Sequence, residues 1–231
     1  MSATYNTIRN LIPLSIRKKL LKIHHHYVLN RALSDLLLMA DKNAIDRTLL
    51  KRLIYGWGNQ GFSAQTDYLE SCVEYAYKTN GSILECGSGL STIIVGVIAK
   101  KRGIQLTSFE HYKEWGDKVA AVTQKLGLDN VTINVKPLKD YGDYCWYDVA
   151  AVKIPANVGL VICDGPPAQT KGGRYGMVPV VGSSLKPGAV ILMDDTIRED
   201  ERKIIERWKS ILNFTTLEKG RDIPHAILHV G

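Results

Sequence analysis

The chain has 231 residues, 45% of them hydrophobic and 23% charged, with a formal net charge of +7. That is long enough for one large α/β domain with some extra structure and short for two full domains. The balance is that of a globular protein, which excludes disordered and fibrous classes. No apolar run approaches the roughly 18–20 residues of a membrane span, and no apolar core followed by small residues marks a signal peptide, so a cytoplasmic protein is expected. Residues 1–56 hold ten Lys and Arg against three Asp, whereas the remaining chain balances twenty basic against twenty acidic residues. Cys72, Cys86, Cys145 and Cys163 form no CxxC pair and are read as reduced thiols.

From Tyr5 to about Ile54, leucines recur at spacings near three and four, and Pro13 marks a helix start. This basic helical appendage, residues 1–55, places Arg17, Lys18, Lys19 and Lys22 together. Such a face is solvated, packs on a protein partner or docks at the periphery of an anionic membrane. His24, His25 and His26 are consecutive, so on a helix they point in different directions and form no preformed metal site. A Gly-rich loop over 56–68 and a helix over Thr66–Lys78 open the second unit, residues 56–231. Strands are then expected at Ser82–Glu85, Gln105–Glu110, 131–138, 158–164 and 189–195. Helices are expected over Ile93–Lys101, Trp115–Leu126, Val178–Leu185 and Glu199–Leu212. Strands that are almost wholly apolar and alternate with helices imply a parallel sheet covered on both faces. The last two strands, 214–220 and 225–230, have no room for a helix between them and must pair antiparallel.

Ligands of an open parallel sheet sit outside the C-terminal strand ends, where strand order reverses. Acids mark four of those ends: Glu85, Glu110, Asp164 and the pair Asp194-Asp195. Between Glu85 and the next helix lie Gly87, Ser88 and Gly89, where backbone can approach a ligand. The helix beginning near Ser91 offers unpaired N–H groups to an anion. Glu110 follows Gly87 by 23 residues, a distance at which an acid can accept from both hydroxyls of a ribose. A dinucleotide site would continue G-x-G-x-x-G, but Thr92 takes the third glycine's place.

The order acid-x-Gly-x-Gly, with "ECGSGLST", "SFEHYKEW", "CDGPP" and "ILMDDTIRE" following in sequence and an antiparallel last strand, resembles class I S-adenosylmethionine-dependent methyltransferases, in particular the small-molecule and glycan O-methyltransferases. The resemblance runs from about Gly61 to Gly231. It implies a Rossmann-like, doubly wound, mostly parallel seven-stranded sheet with an antiparallel C-terminal hairpin strand, beside the helical appendage. It also implies that Gly87, Ser88 and Gly89 line the methionine part of S-adenosylmethionine. Glu110 would hold the ribose, His111 and Leu138 would flank the adenine, and Asp140 is the nearest acid to its amino group. Gln65 would close over the methionine carboxylate, and Asp164 would stand near the transferring methyl.

Comparison with catechol O-methyltransferase-like enzymes extends this to Mg²⁺, held by Asp164, Asp194 and Asp195. Two departures are visible: Asp-Asp replaces the usual Asp-Asn, and Pro167 stands where a lysine commonly follows the first acid, leaving Lys171 nearest. Asp194-Asp195 is equally explained as the cap of the next helix. Without metal, His111, Lys171 or His225 would serve as base. Segment 166–176 reads as a lid, with Lys171 and Arg174 available to an anionic group, or as a plain structural loop. The acceptor is expected to be a small molecule or glycan rather than nucleic acid, because the catalytic part has no basic excess. A non-catalytic adaptor docking through the basic helices and a nicotinamide-dependent reductase are the alternatives.

Overall fold

The computed structural model describes residues 13–40, 44–58, 64–221 and 223–231. The first expected helix turns, over 5–12, lie outside the described residues. Helix α1 (Leu14–Ala40) packs along α2 (Arg47–Trp57). Asp46 starts α2 by accepting from the Leu49 N–H at 2.8 Å, and Gly58 in the left-handed region ends it. Helix α3 (Thr66–Lys78) leads into β1 (Ser82–Cys86), α4 (Leu90–Lys101), β2 (Leu106–Glu110), α5 (Lys113–Lys125) and β3 (Val131–Val135). After a short ribbon, β4 (Leu138–Asp140) with β5 (Cys145–Tyr147), come β6 (Val158–Cys163), α6 (Met177–Val181), β7 (Leu185–Met193), α7 (Glu199–Trp208), β8 (Phe214–Lys219) and β9 (His225–Val230).

Seven strands form one sheet in the order β3-β2-β1-β6-β7-β9-β8. All neighbours run parallel until β9, which pairs antiparallel with both β7 and β8. The mostly parallel, Rossmann-like sheet with an antiparallel C-terminal strand is therefore present. Successive residues of the central strands face opposite layers, as the pleat requires. Ile83, Leu160, Ile162 and Leu192 join the core under α1–α5, whereas Leu84, Val161, Cys163 and Ile191 join the core under α6 and α7. Ten consecutive residues of α4, Leu90–Ala99, are buried, which explains the apolar run from Ile93 on. On the outer side of α4 lie α1 and α2, whose Leu36, Leu50 and Leu53 belong to the same core as Ile93 and Ile98.

Several boundaries differ from expectation. Helix α4 begins at Leu90, three residues before the expected Ile93, and α7 stops at Trp208. Strand β3 ends at Val135, where Pro137 cannot donate to a ladder; Leu138 belongs to the separate β4–β5 ribbon. The helix expected over 178–185 is only the five residues of α6, between 3-10 turns at Gly173–Gly176 and Gly182–Ser184, and Leu185 already starts β7. Among the described residues no helix is long and apolar enough to cross a membrane.

Candidate active site

Strand order reverses between β1 and β6, so the segments leaving these two strands flank one crevice. Gly87 leaves β1 with φ +89°, a conformation that favours glycine, and a Cβ there would lie 3.1 Å from the Gly165 nitrogen. A Cβ on Gly165 would in turn meet the Gly87 Cα at 2.9 Å and the Tyr147 hydroxyl at 2.6 Å. The pair thus lets the two strand ends touch. Over Gly89, by contrast, a Cβ would meet nothing within 4 Å. That open space beside the N-terminus of α4 is a cradle that a ligand carboxylate fits. Among the described residues the buried Tyr147 hydroxyl has no hydrogen-bond partner, and it stands against Gly165, a spare donor at the crevice. These features fit the methionine end of S-adenosylmethionine.

Glu85 is fully buried. Its carboxyl accepts from Ser91 Oγ (2.6 Å), Thr92 Oγ1 (2.5 Å) and Ser108 Oγ (2.7 Å), while Thr92 Oγ1 also accepts from the Gly89 N–H. Burial pushes Glu85 up to about 7, against the pull of these hydroxyls. Glu85 and Ser91, expected at the cofactor, are therefore spent on each other, and what they shape is the loop. Glu110 closes β2 nearly buried. Its Oε2 accepts from the Ser88 N–H (3.2 Å) and Ser88 Oγ (3.0 Å), and its Oε1 accepts from the His111 and Tyr112 N–H groups at 2.8 and 2.9 Å. The Trp115 indole N–H, donating to the Ser88 carbonyl at 2.7 Å, ties the same loop to α5.

The three aspartates do converge: one oxygen of each of Asp164, Asp194 and Asp195 lies within 4.8 Å of the others. A cation already sits among them, and it belongs to the chain. Arg174 Nη2 donates to Asp164 Oδ1 and to Asp195 Oδ2, each at 3.0 Å, and Nη1 donates to the Asp194 carbonyl at 2.6 Å. With 2% of its side chain exposed, Arg174 is not available to an anionic substrate group, contrary to the sequence expectation. Arg198 pairs with Asp195 (2.9 Å) and Glu201 (3.5 Å). Three carboxyl groups, those of Asp164, Asp195 and Glu201, thus meet two guanidiniums. Burial, with Asp164 and Asp195 adding to it, pushes Asp194 well above the carboxylate range, and Asp194 Oδ1 accepts from the Asp195 N–H at 2.8 Å. Asp164 is lifted to about 6 by burial and by Asp195, with Arg174 opposing. Burial opposes the charge on Arg174, but the surrounding carboxylates outweigh it. Asp195 adopts φ +59°, a strained setting for a residue other than glycine. Mg²⁺ demands near-octahedral oxygens at about 2.0–2.1 Å. A donor set in which Asp164 and Asp195 are already bonded to the same buried guanidinium does not fit it.

The other sequence candidates divide. Gln65 is exposed at the start of α3. His111 is half-buried, its Nδ1 3.2 Å from Glu110 Oε1. Leu138 opens β4 against the cluster containing Phe109, Trp146 and Tyr147. Lys171 instead pairs with Asp140 at 3.3 Å on the exposed side of the β4–β5 ribbon, so it is Arg174 that meets Asp164. His225 is buried, 2.8 Å from Ser71 Oγ and edge-on to Tyr68, and burial pushes it down to about 4; this is a packed histidine, not an open base. The expected lid is pinned in its second half, since the Cys145 N–H donates to the Lys171 carbonyl and Gly176 packs against Trp146.

A family model described as a methyltransferase domain matches residues 84–196, from β1 to just past β7. Among solved structures, the chain is similar to the O-methyltransferase from Bacillus cereus in complex with S-adenosylhomocysteine, at 13% identity and TM-score 0.57, covering 87% of this chain and 91% of that one. It is also similar to the O-methyltransferase TomG from Streptomyces achromogenes, involved in tomaymycin synthesis and in complex with S-adenosylmethionine (15% identity, TM-score 0.53, 87% and 90% covered). The S-adenosylhomocysteine-bound methyltransferase PaMTH1 from Podospora anserina gives 14% identity and TM-score 0.54 over 87% and 88%. At these identities the likeness is one of fold. No curated protein matches the chain.

Proposed function

We propose that the chain is a class I S-adenosylmethionine-dependent methyltransferase that methylates a hydroxyl oxygen of a small-molecule or sugar acceptor, a reading supported by the methyltransferase-domain match over residues 84–196. The observation that carries this reading is Asp164, at the strand-order reversal and in contact with the Gly87 turn through its backbone. When bound, S-adenosylmethionine supplies an electrophilic methyl group on a sulfonium whose departure needs no proton. Transfer to oxygen is an in-line displacement in which the hydroxyl proton must leave.

Asp164 suits that task. At about 6 its carboxyl is ionised at neutral pH yet basic enough to take a proton, and 26% of its side chain remains open. Arg174 fixes the orientation of the carboxylate by holding Oδ1. Glu110 would hold the ribose hydroxyls, through a carboxylate whose Oε2 also accepts from the Ser88 hydroxyl. His111 and Leu138 are the side chains assigned to the adenine, and Gln65 and Gly89 to the methionine carboxylate. The even charge balance of the catalytic part supports a small acceptor over nucleic acid.

The experiment is to incubate the enzyme with ¹³C-methyl-labelled S-adenosylmethionine and a small-metabolite extract, and to read the products by NMR. New methoxy resonances, absent with Asp164→Asn, are expected. Label found only on nitrogen, sulfur or carbon contradicts oxygen transfer.

A further inference from the structure

We propose that the N-terminal part of α1 docks on an anionic lipid membrane. Ile16, Leu20, Ile23 and Tyr27 are 48%, 54%, 58% and 57% exposed. They recur at i, i+4, i+7 and i+11, which at 3.6 residues per turn sets them on one face of the helix. Ala32, Leu33, Leu36 and Ala40, which pack into the protein, lie about 150° away around the same helix. The stripe therefore points outward, and helix α1 is apolar on two sides. Leu14 and Leu21 are also half-exposed or more, but they lie about 130–150° from the stripe, on the other side of the helix.

Charge identifies what covers it. Arg17, Lys18, Lys19, Lys22 and Arg31 fall within residues 14–34, and no Asp or Glu does. Among the described residues Lys18, Lys19 and Lys22 have no carboxylate partner; the nearest acid in sequence, Asp35, pairs with Arg52. A second copy laid stripe to stripe would oppose Arg17, Lys19 and Arg31, which lie within about 90° of the stripe, with three more positive charges. A nucleic acid would satisfy the charge and leave the leucine and isoleucine side chains wet. An anionic bilayer satisfies both: the apolar face enters the acyl boundary while long basic side chains reach the headgroups.

Flotation with vesicles of phosphatidylserine and phosphatidylcholine tests this on the full chain. The protein is expected to float with vesicles containing about a third phosphatidylserine, to stay down with pure phosphatidylcholine, and to be released as salt rises. Ile16→Ser/Leu20→Ser/Ile23→Ser should weaken partitioning roughly tenfold or more, with S-adenosylhomocysteine affinity unchanged. Lys18→Gln/Lys19→Gln/Lys22→Gln should act the same way at physiological salt. No flotation at low salt overturns the proposal, as does equal binding to both vesicle types. So does a dimer in sedimentation that the serine variant dissociates, which would assign the stripe to a second copy.

Discussion

Glu85 is a carboxyl with no solvent on any side, and its three partners are all hydroxyls. Its folded pKa, about 7 against an ordinary 4.5, is raised, so its contribution to stability is full below about 4.5 and is lost as pH rises through 7. Glu85→Gln keeps the shape and cannot ionise. Thermal melts from pH 5 to 8 should therefore decline less for that variant than for the native chain. Glu85→Ala should lose roughly 2–4 kcal/mol through the cavity and the stranded hydroxyls. Asp164 carries the opposite demand, since as a base it must be ionised. The logarithm of kcat/KM should climb to a plateau along a limb with an apparent pKa near 6. Asp164→Asn should lower turnover about a hundredfold or more and abolish the limb, with S-adenosylhomocysteine still bound. The sequence placed Asp164 and Glu110 at strand ends because an acid after an apolar run is visible. What it did not show is that Glu85 turns toward Ser91 and Thr92 in the next helix's first turn, because the same pattern does not say which way an acid turns.

Between residues and the whole sit the turns that bring β6, β7 and the loop before α6 together, with Arg174 as their common partner. The positive charge facing Asp164 and Asp195 is covalently part of the chain. EDTA should accordingly leave turnover unchanged; activity that vanishes with chelator and returns with Mg²⁺ would contradict this arrangement. Arg174→Met strands the carboxylates and should destabilise the fold by about 3–5 kcal/mol, measurable by urea unfolding. A basic residue in a Gly-rich loop looks open to a ligand, which is why the sequence offered Arg174, together with Lys171, to an anionic substrate group. The β4–β5 ribbon was hidden for another reason: three-residue strands carry too little alternation to read. The central strands, five or more nearly buried residues each, were legible in order and direction.

At the scale of the molecule, leucine spacing pointed to helix from Tyr5 to about Ile54, and the described part of it forms α1 and α2, but the spacing did not say what they cover. Leu36, Leu49, Leu50 and Leu53 are buried in one core with Leu69, Ile94 and Ile98. Removal of residues 1–55 would expose that layer of α3 and α4, so the truncated chain should aggregate or melt without a cooperative transition, as light scattering and calorimetry would show. The central claim is that this fold binds S-adenosylmethionine through the Gly87–Gly89 turn and Glu110. Titration calorimetry with S-adenosylhomocysteine tests it most directly. The account predicts single-site binding that Glu110→Ala weakens by at least about tenfold while circular dichroism stays native. No binding at millimolar ligand, equal affinity in the variant, or binding of NADH in its place would contradict it.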